Sequence, residues 1–248
     1  MLANRSLQGP FDVGPGGQSE VTIRRAIYFG ESQSLITLHP FTITNTNCTP
    51  TVSNVGTSPR GRPCANFAGA GASTDGSNFA FGVAGILLQA GKAARARFSY
   101  FSADIANHEM AFGFGVVGTG MIASDPTDYV MLRFTTGQTV PHLRCKKANA
   151  NGQDVALNIS AVETAGALVS SIWYDFEFEV TPDPVVSGAG RIRVWLGRNG
   201  GAKVLIYDDA FGAGIPDTVK MAPFVSGRAG GAVTTIWSWG EYEYELAS

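Results

Sequence analysis

Residues 173–208 read WYDFEFEVTPDPVVSGAGRIRVWLGRNGGAKVLIYD, and their pattern decides the fold. Apolar and polar residues alternate in WYDFEFEV (173–180), RIRVWLG (191–197) and AKVLIYD (202–208), the period of a strand with one buried face. Between the last two runs, Asn199-Gly200 supplies the positive φ that a tight hairpin turn requires. The prolines and glycines of TPDPVVSGAG make a longer loop between the first two. Three strands of an antiparallel meander follow.

The same punctuated pattern runs outward from this segment. Strand-like runs are VTIRRAIY (21–28), SLITLHPFTIT (34–44), ARARFSYF (94–101), MAFGFGVV (110–117), DYVMLRFT (128–135), VPHLRCKK (140–147) and TTIWSWGEYEYEL (234–246). In MAFGFGVV, Phe112 and Phe114 face one way and Gly113 and Gly115 the other, which predicts close packing on the glycine side. Helical periodicity is weak, and ISAVETAGALVSSIW (159–173) is the best candidate for a turn or two of helix. No repeat of 20 to 50 residues is present, which argues against a propeller or solenoid. About ten strands around one core predict an all-β, two-sheet antiparallel jelly-roll sandwich. Residues 21–248 read as a single domain, and residues 1–20, with Pro10, Pro15 and the glycines of GPGG, as an extended N-terminal arm.

The C-terminal third carries a resemblance. The order WYDFEFEV, a Pro/Gly loop, GRIRVWLGRNGGAKVLIYDD, the Gly-rich PFVSGRAGGA and then TTIWSWGEYEYEL resembles the end of concanavalin A-like (laminin-G-like) jelly rolls, of the kind found in bacteriophage structural proteins. It covers about residues 170–248 and implies a sandwich whose last strand follows a Gly-rich loop.

Composition narrows the function classes. Charged residues make up 15% of the 248, against about 25% in typical soluble domains, so the surface is either rich in small polar residues or covered by neighbouring chains. A formal charge of −2 provides no field for nucleic acid. Arg24-Arg25, Arg60-Gly61-Arg62 and Lys146-Lys147 are too small to define a groove. Cys48, Cys64 and Cys145 lack metal-site spacing and read as buried thiols. The first residues hold no apolar core of signal-peptide length, and no segment reaches the ~18 apolar residues of a membrane span. The expectation is a protein made in a host cytoplasm and kept reduced, with no membrane or nucleic-acid partner.

Glu241, Glu243 and Glu245 alternate with tyrosines near the C-terminus, as Asp175, Glu177 and Glu179 alternate with phenylalanines. Three carboxylates on one strand face resemble the layout of laminarinase-type glucanases, and ~5–5.5 Å between carboxyls suits a retaining glycosidase. Here the middle residue is Glu243 where the glucanase motif has Asp, the strand lies at the chain end, and the pattern occurs twice. Arginine rows are present to match: Arg191 and Arg193 for Glu177 and Glu179, and Arg95 with Arg97 for a further strand. The acidic rows therefore read as the solvated face of a sheet, and the chain as non-enzymatic.

Other chemistry is sparse. His39, His108 and His142 lie apart without ligand spacing, although His108 adjoins Glu109. The aspartates of SDPTDY (124–129) and YDDAFGAG (207–214) are candidates for calcium, but neither loop has the oxygen spacing of a dedicated site. No metal or cofactor is expected. Trp237 and Trp239 read as sharing a face with Glu241 and Glu243, a candidate surface for a glycan or protein.

These features predict a virion structural protein, a capsid decoration (cement) or fibre protein. Its partners would be capsid subunits and itself, reached through the arm with Arg5 and Phe11 as anchors, in a homo-oligomer that family analogy makes a trimer. The alternatives are a lectin-like carbohydrate-binding module for host recognition and a retaining glycoside hydrolase.

Overall fold

A computed structural model describes residues 22–28, 41–48, 51–53, 64–68, 76–81, 85–116, 125–231 and 236–247. Arg5, Phe11 and the rest of the arm, together with His39, lie outside these residues. Fifteen strands are present among them: β1 (Thr22–Tyr28), β2 (Phe41–Thr46), β3 (Thr51–Ser53), β4 (Cys64–Ala68), β5 (Gly76–Phe81), β6 (Ala94–Ser102), β7 (His108–Gly115) and β8 (Tyr129–Phe134), followed by β9 (His142–Lys147), β10 (Ala150–Ala156), β11 (Trp173–Pro182), β12 (Gly190–Arg198), β13 (Val204–Phe211), β14 (Ala222–Ala229) and β15 (Ile236–Ala247).

They form two antiparallel sheets. The eight-stranded sheet runs β13-β12-β11-β6-β15-β4-β3, with β1 also paired to β15, and the seven-stranded sheet runs β10-β9-β8-β7-β14-β5-β2. The quoted meander forms as expected, β11 against β12 and β12 against β13. Asn199 and Gly200 carry φ of 49° and 74° at its hairpin, the region that Asn and Gly tolerate best.

The core lies between the sheets. Phe98 of β6 and Phe176 and Phe178 of β11 meet Phe112 of β7 with ring centroids 5.1, 5.9 and 5.7 Å apart, so the two sheets are joined by aromatic interdigitation. Tyr174, Phe176, Phe178 and Val180, alternate residues of β11, are all fully buried, as period two requires.

Three local expectations are corrected. Residues 159–172 form turns and irregular backbone and not helix, and Trp173 opens β11: Val162 N and Glu163 N both donate to Ile159 O, one closed turn that does not propagate. The Gly-rich PFVSGRA is not a loop but most of β14, an interior strand between β7 and β5. The closest approach at Gly113 is within its own sheet. A Cβ there would sit 2.2 Å from Val130 O on β8, and its φ is +155°.

Candidate functional site

The outer face of the eight-stranded sheet carries the acidic strands. Register aligns Glu245 of β15, Arg95 of β6, Glu179 of β11, Arg193 of β12 and Asp208 of β13 in one row. Glu179 is bound by Arg95 Nη2 at 2.6 Å and Arg193 Nη1 at 3.0 Å, and Arg191 Nε donates to Asp208 at 2.5 Å. In the next row Glu177 accepts from Arg97 Nε and Lys203 Nζ, both at 2.9 Å. Ser99 Oγ donates to Asp175. The expected facing of Glu177 and Glu179 with Arg191 and Arg193 holds for Glu179 and Arg193 alone: the register places Glu177 opposite Trp195 and Arg191 opposite Thr181, leaving Arg191 to Asp208.

The pairing fixes the chemistry of these groups. Burial pushes the Glu177 carboxyl up, but Lys203 and Arg97 outweigh it and hold it below the ordinary glutamate range. Asp208 is lowered by its hydrogen bond from Arg191. A glycosidase acid needs the opposite displacement.

Backbone register alone places the last strand. Glu243 lies opposite Arg97, and Glu245 opposite both Arg95 and Arg24. Trp237 and Trp239 lie opposite Ser102 and Tyr100, and the register shifts between Trp239 and Tyr242, next to Glu241. That irregularity interrupts the alternation from which Trp237, Trp239, Glu241 and Glu243 were read as one surface.

The histidines separate. His108 points into the core, where its Nδ1 hydrogen-bonds the Tyr100 hydroxyl and its ring stacks 5.4 Å from the tyrosine's; burial lowers its pKa to about 3, so it is neutral. Glu109 faces the other way, accepting from Arg228 Nε at 2.6 Å, and no His108–Glu109 dyad exists.

His142 instead belongs to a basin on the outer face of the seven-stranded sheet. Arg133 on β8, His142 and Arg144 on β9 and Asp154 on β10 line a cavity of about 330 Å³, completed by Asp125, Thr135 and Gln138. Asp125 accepts from Arg133 Nη1 and, at 2.9 Å, from Arg144 Nη1. Asp154 contacts Arg144 Nε at 3.2 Å and His142 Nδ1 at 2.6 Å. The Arg144 guanidinium also sits 5.9 Å over the Tyr129 ring. Sequence reading missed this basin, because its only signal is that Arg133, His142 and Arg144 occupy alternate positions on consecutive strands.

Neither proposed calcium loop fits the ion. Asp125 is neutralised by two arginines and Asp128 accepts from Ala148 N at 2.7 Å, while Asp208 is held by Arg191 and Arg193. Among the described residues no group of three or more His, Cys, Asp or Glu could hold a metal ion.

No protein-family model matches the chain, and no curated protein does. Solved structures do match. A protein of unknown function from Shewanella oneidensis superposes with a TM-score of 0.61 at 14% identity, over 93% of this chain and 88% of that one. An alginate lyase from Aplysia kurodai gives 0.61 at 10% identity, over 89% and 97%. Lectin II from Ulex europaeus gives 0.54 at 10% identity, over 90% and 98%. The chain has the concanavalin A-like fold. At these identities the likeness concerns the fold, which serves lectins and an enzyme alike.

Proposed function

We propose that this chain is a non-enzymatic virion structural protein, a decoration or fibre protein that holds neighbouring subunits through its arm and its sandwich. The observation that carries the non-enzymatic part is the ion-paired outer face: Glu177 and Glu179, which repeat the alternating layout of Glu241, Glu243 and Glu245, are each clamped by two cations. Carboxylates so held belong to the ion-pair rows that tie neighbouring strands together. The virion part is supported by the low charge content and by a Gly/Pro-rich stretch of about twenty residues ahead of the first strand. Ordering such a stretch costs conformational entropy that a neighbouring subunit's surface offsets. The partners are capsid subunits and further copies of the chain, a trimer in this reading, assembled into particles in the host cytoplasm.

Light scattering and limited proteolysis of the full chain, beside a chain lacking residues 1–20, test this reading. A change in mass, or a protease-labile arm protected on adding capsid shells, supports it. A monomer whose mass and cleavage pattern ignore both the arm and the shells overturns it.

A further inference from the structure

The geometry points to a second, separate capacity: the basin of Arg133, His142, Arg144 and Asp154 binds a carboxylate-bearing saccharide, a hexuronate unit of an acidic polysaccharide. At about 330 Å³ the cavity falls in the size range of small-ligand sites. On the outer face of the eight-stranded sheet the ion pairs lie in rows across the strands, whereas here pairs of the same kind line a cavity.

The donors are preorganised. Arg133 and Arg144 converge on the single carboxylate of Asp125, and Arg144 is further fixed over Tyr129. An incoming carboxylate meets guanidinium groups whose orientation is already set, so less rotamer entropy is lost on binding. Two arginines against Asp125 and Asp154 bring the basin close to neutral, which suits a monoanion better than a doubly charged phosphate. The remaining lining also matches a sugar: Thr135 and Gln138 offer hydroxyl and amide groups, and Asp154, whose side chain is 50% exposed, offers acceptors for ring hydroxyls.

Calorimetric titration of the full chain with trisaccharides of galacturonate, mannuronate and guluronate, with maltotriose and with inorganic phosphate, tests the proposal. At least one uronate trisaccharide should bind, maltotriose should not, and phosphate should compete poorly. Arg144→Gln should weaken uronate binding by about tenfold or more, the loss expected for a charge-assisted bidentate contact. Arg191→Gln, on the opposite sheet, should leave it unchanged. Because Arg144 also anchors Asp125 and Asp154, and the Gln138 side chain accepts from Thr135 N, Thr135→Val is the second variant; it should weaken binding while circular dichroism and melting stay those of the parent. Failure of the folded parent to bind any uronate, equal binding of maltotriose, phosphate binding as tight as the sugar's, or variants that bind like the parent would each overturn the assignment.

Discussion

Replacing Glu177 by Gln tests whether the acidic rows hold the sheet together. Glu177 bridges β6, β11 and the β12–β13 hairpin through Arg97 and Lys203, both at 2.9 Å, with side chains 13%, 28% and 21% exposed respectively. Hydrogen bonds to charged groups contribute roughly 1.5–3 kcal/mol when buried. Solvent screening of partners this open reduces the two together to about 1–2 kcal/mol. For a chain of this length each kcal/mol shifts Tm by about 2–4 °C, so Glu177→Gln should melt roughly 2–8 °C lower at neutral pH. The folded carboxyl lies below the usual value of 4.5. Its contribution is therefore fully present above that value, the unfolded one, and is lost as pH falls through the folded one. Parent and variant should converge as the pH falls below the folded value, provided both still fold there. Melting followed by circular dichroism across pH decides it. Equal stability at neutral pH, or a gap that persists undiminished in acid, refutes the reasoning.

Two further outcomes follow from the packing. Phe178→Ala removes a fully buried ring that sits 5.7 Å from both Phe112 and Phe114 of the facing sheet, and should cost about 3–5 kcal/mol in urea denaturation. Cys48, Cys64 and Cys145 are buried thiols, and burial pushes that of Cys145 up to about 12, so intact-mass analysis after iodoacetamide should find no adduct on the native chain and three after unfolding.

How legible each part was depended on local physics. The strands β6, β9 and β12 announced themselves because each buries alternate residues and leaves most of those between them partly open, which writes period two into the sequence. Of the interior strands of the seven-stranded sheet, β7 was legible from the large/small alternation of MAFGFGVV although all eight of its residues are buried, but β14 was not: it buries all but Arg228 and needs no polar alternation. In β14, Gly227 and Ser226 mimic a loop, yet Gly76 beside it shows why small residues are used there: a Cβ on Gly76 would lie 2.6 Å from that of Arg228. The short β4 and β5, CANFA and GSNFAF, hold few β-branched residues and owe their form to the neighbours they pair with. Alternation of Glu177 and Glu179 with phenylalanines correctly predicted a charge-paired face, but which arginine meets which glutamate depends on a register that a two-residue slip reassigns without changing the face. The basin was illegible for a related reason. Asp125, Arg133, Arg144 and Asp154 span thirty positions and meet only once β8, β9 and β10 are side by side.

The most direct test of the central claim, a sandwich that binds without turning over a substrate, is a reducing-end assay of the full chain against a broad panel of β-glucans and uronans. The account predicts no release above a heat-denatured control. Sustained release that is abolished by Glu241→Gln would contradict it, and would make the last strand an active site.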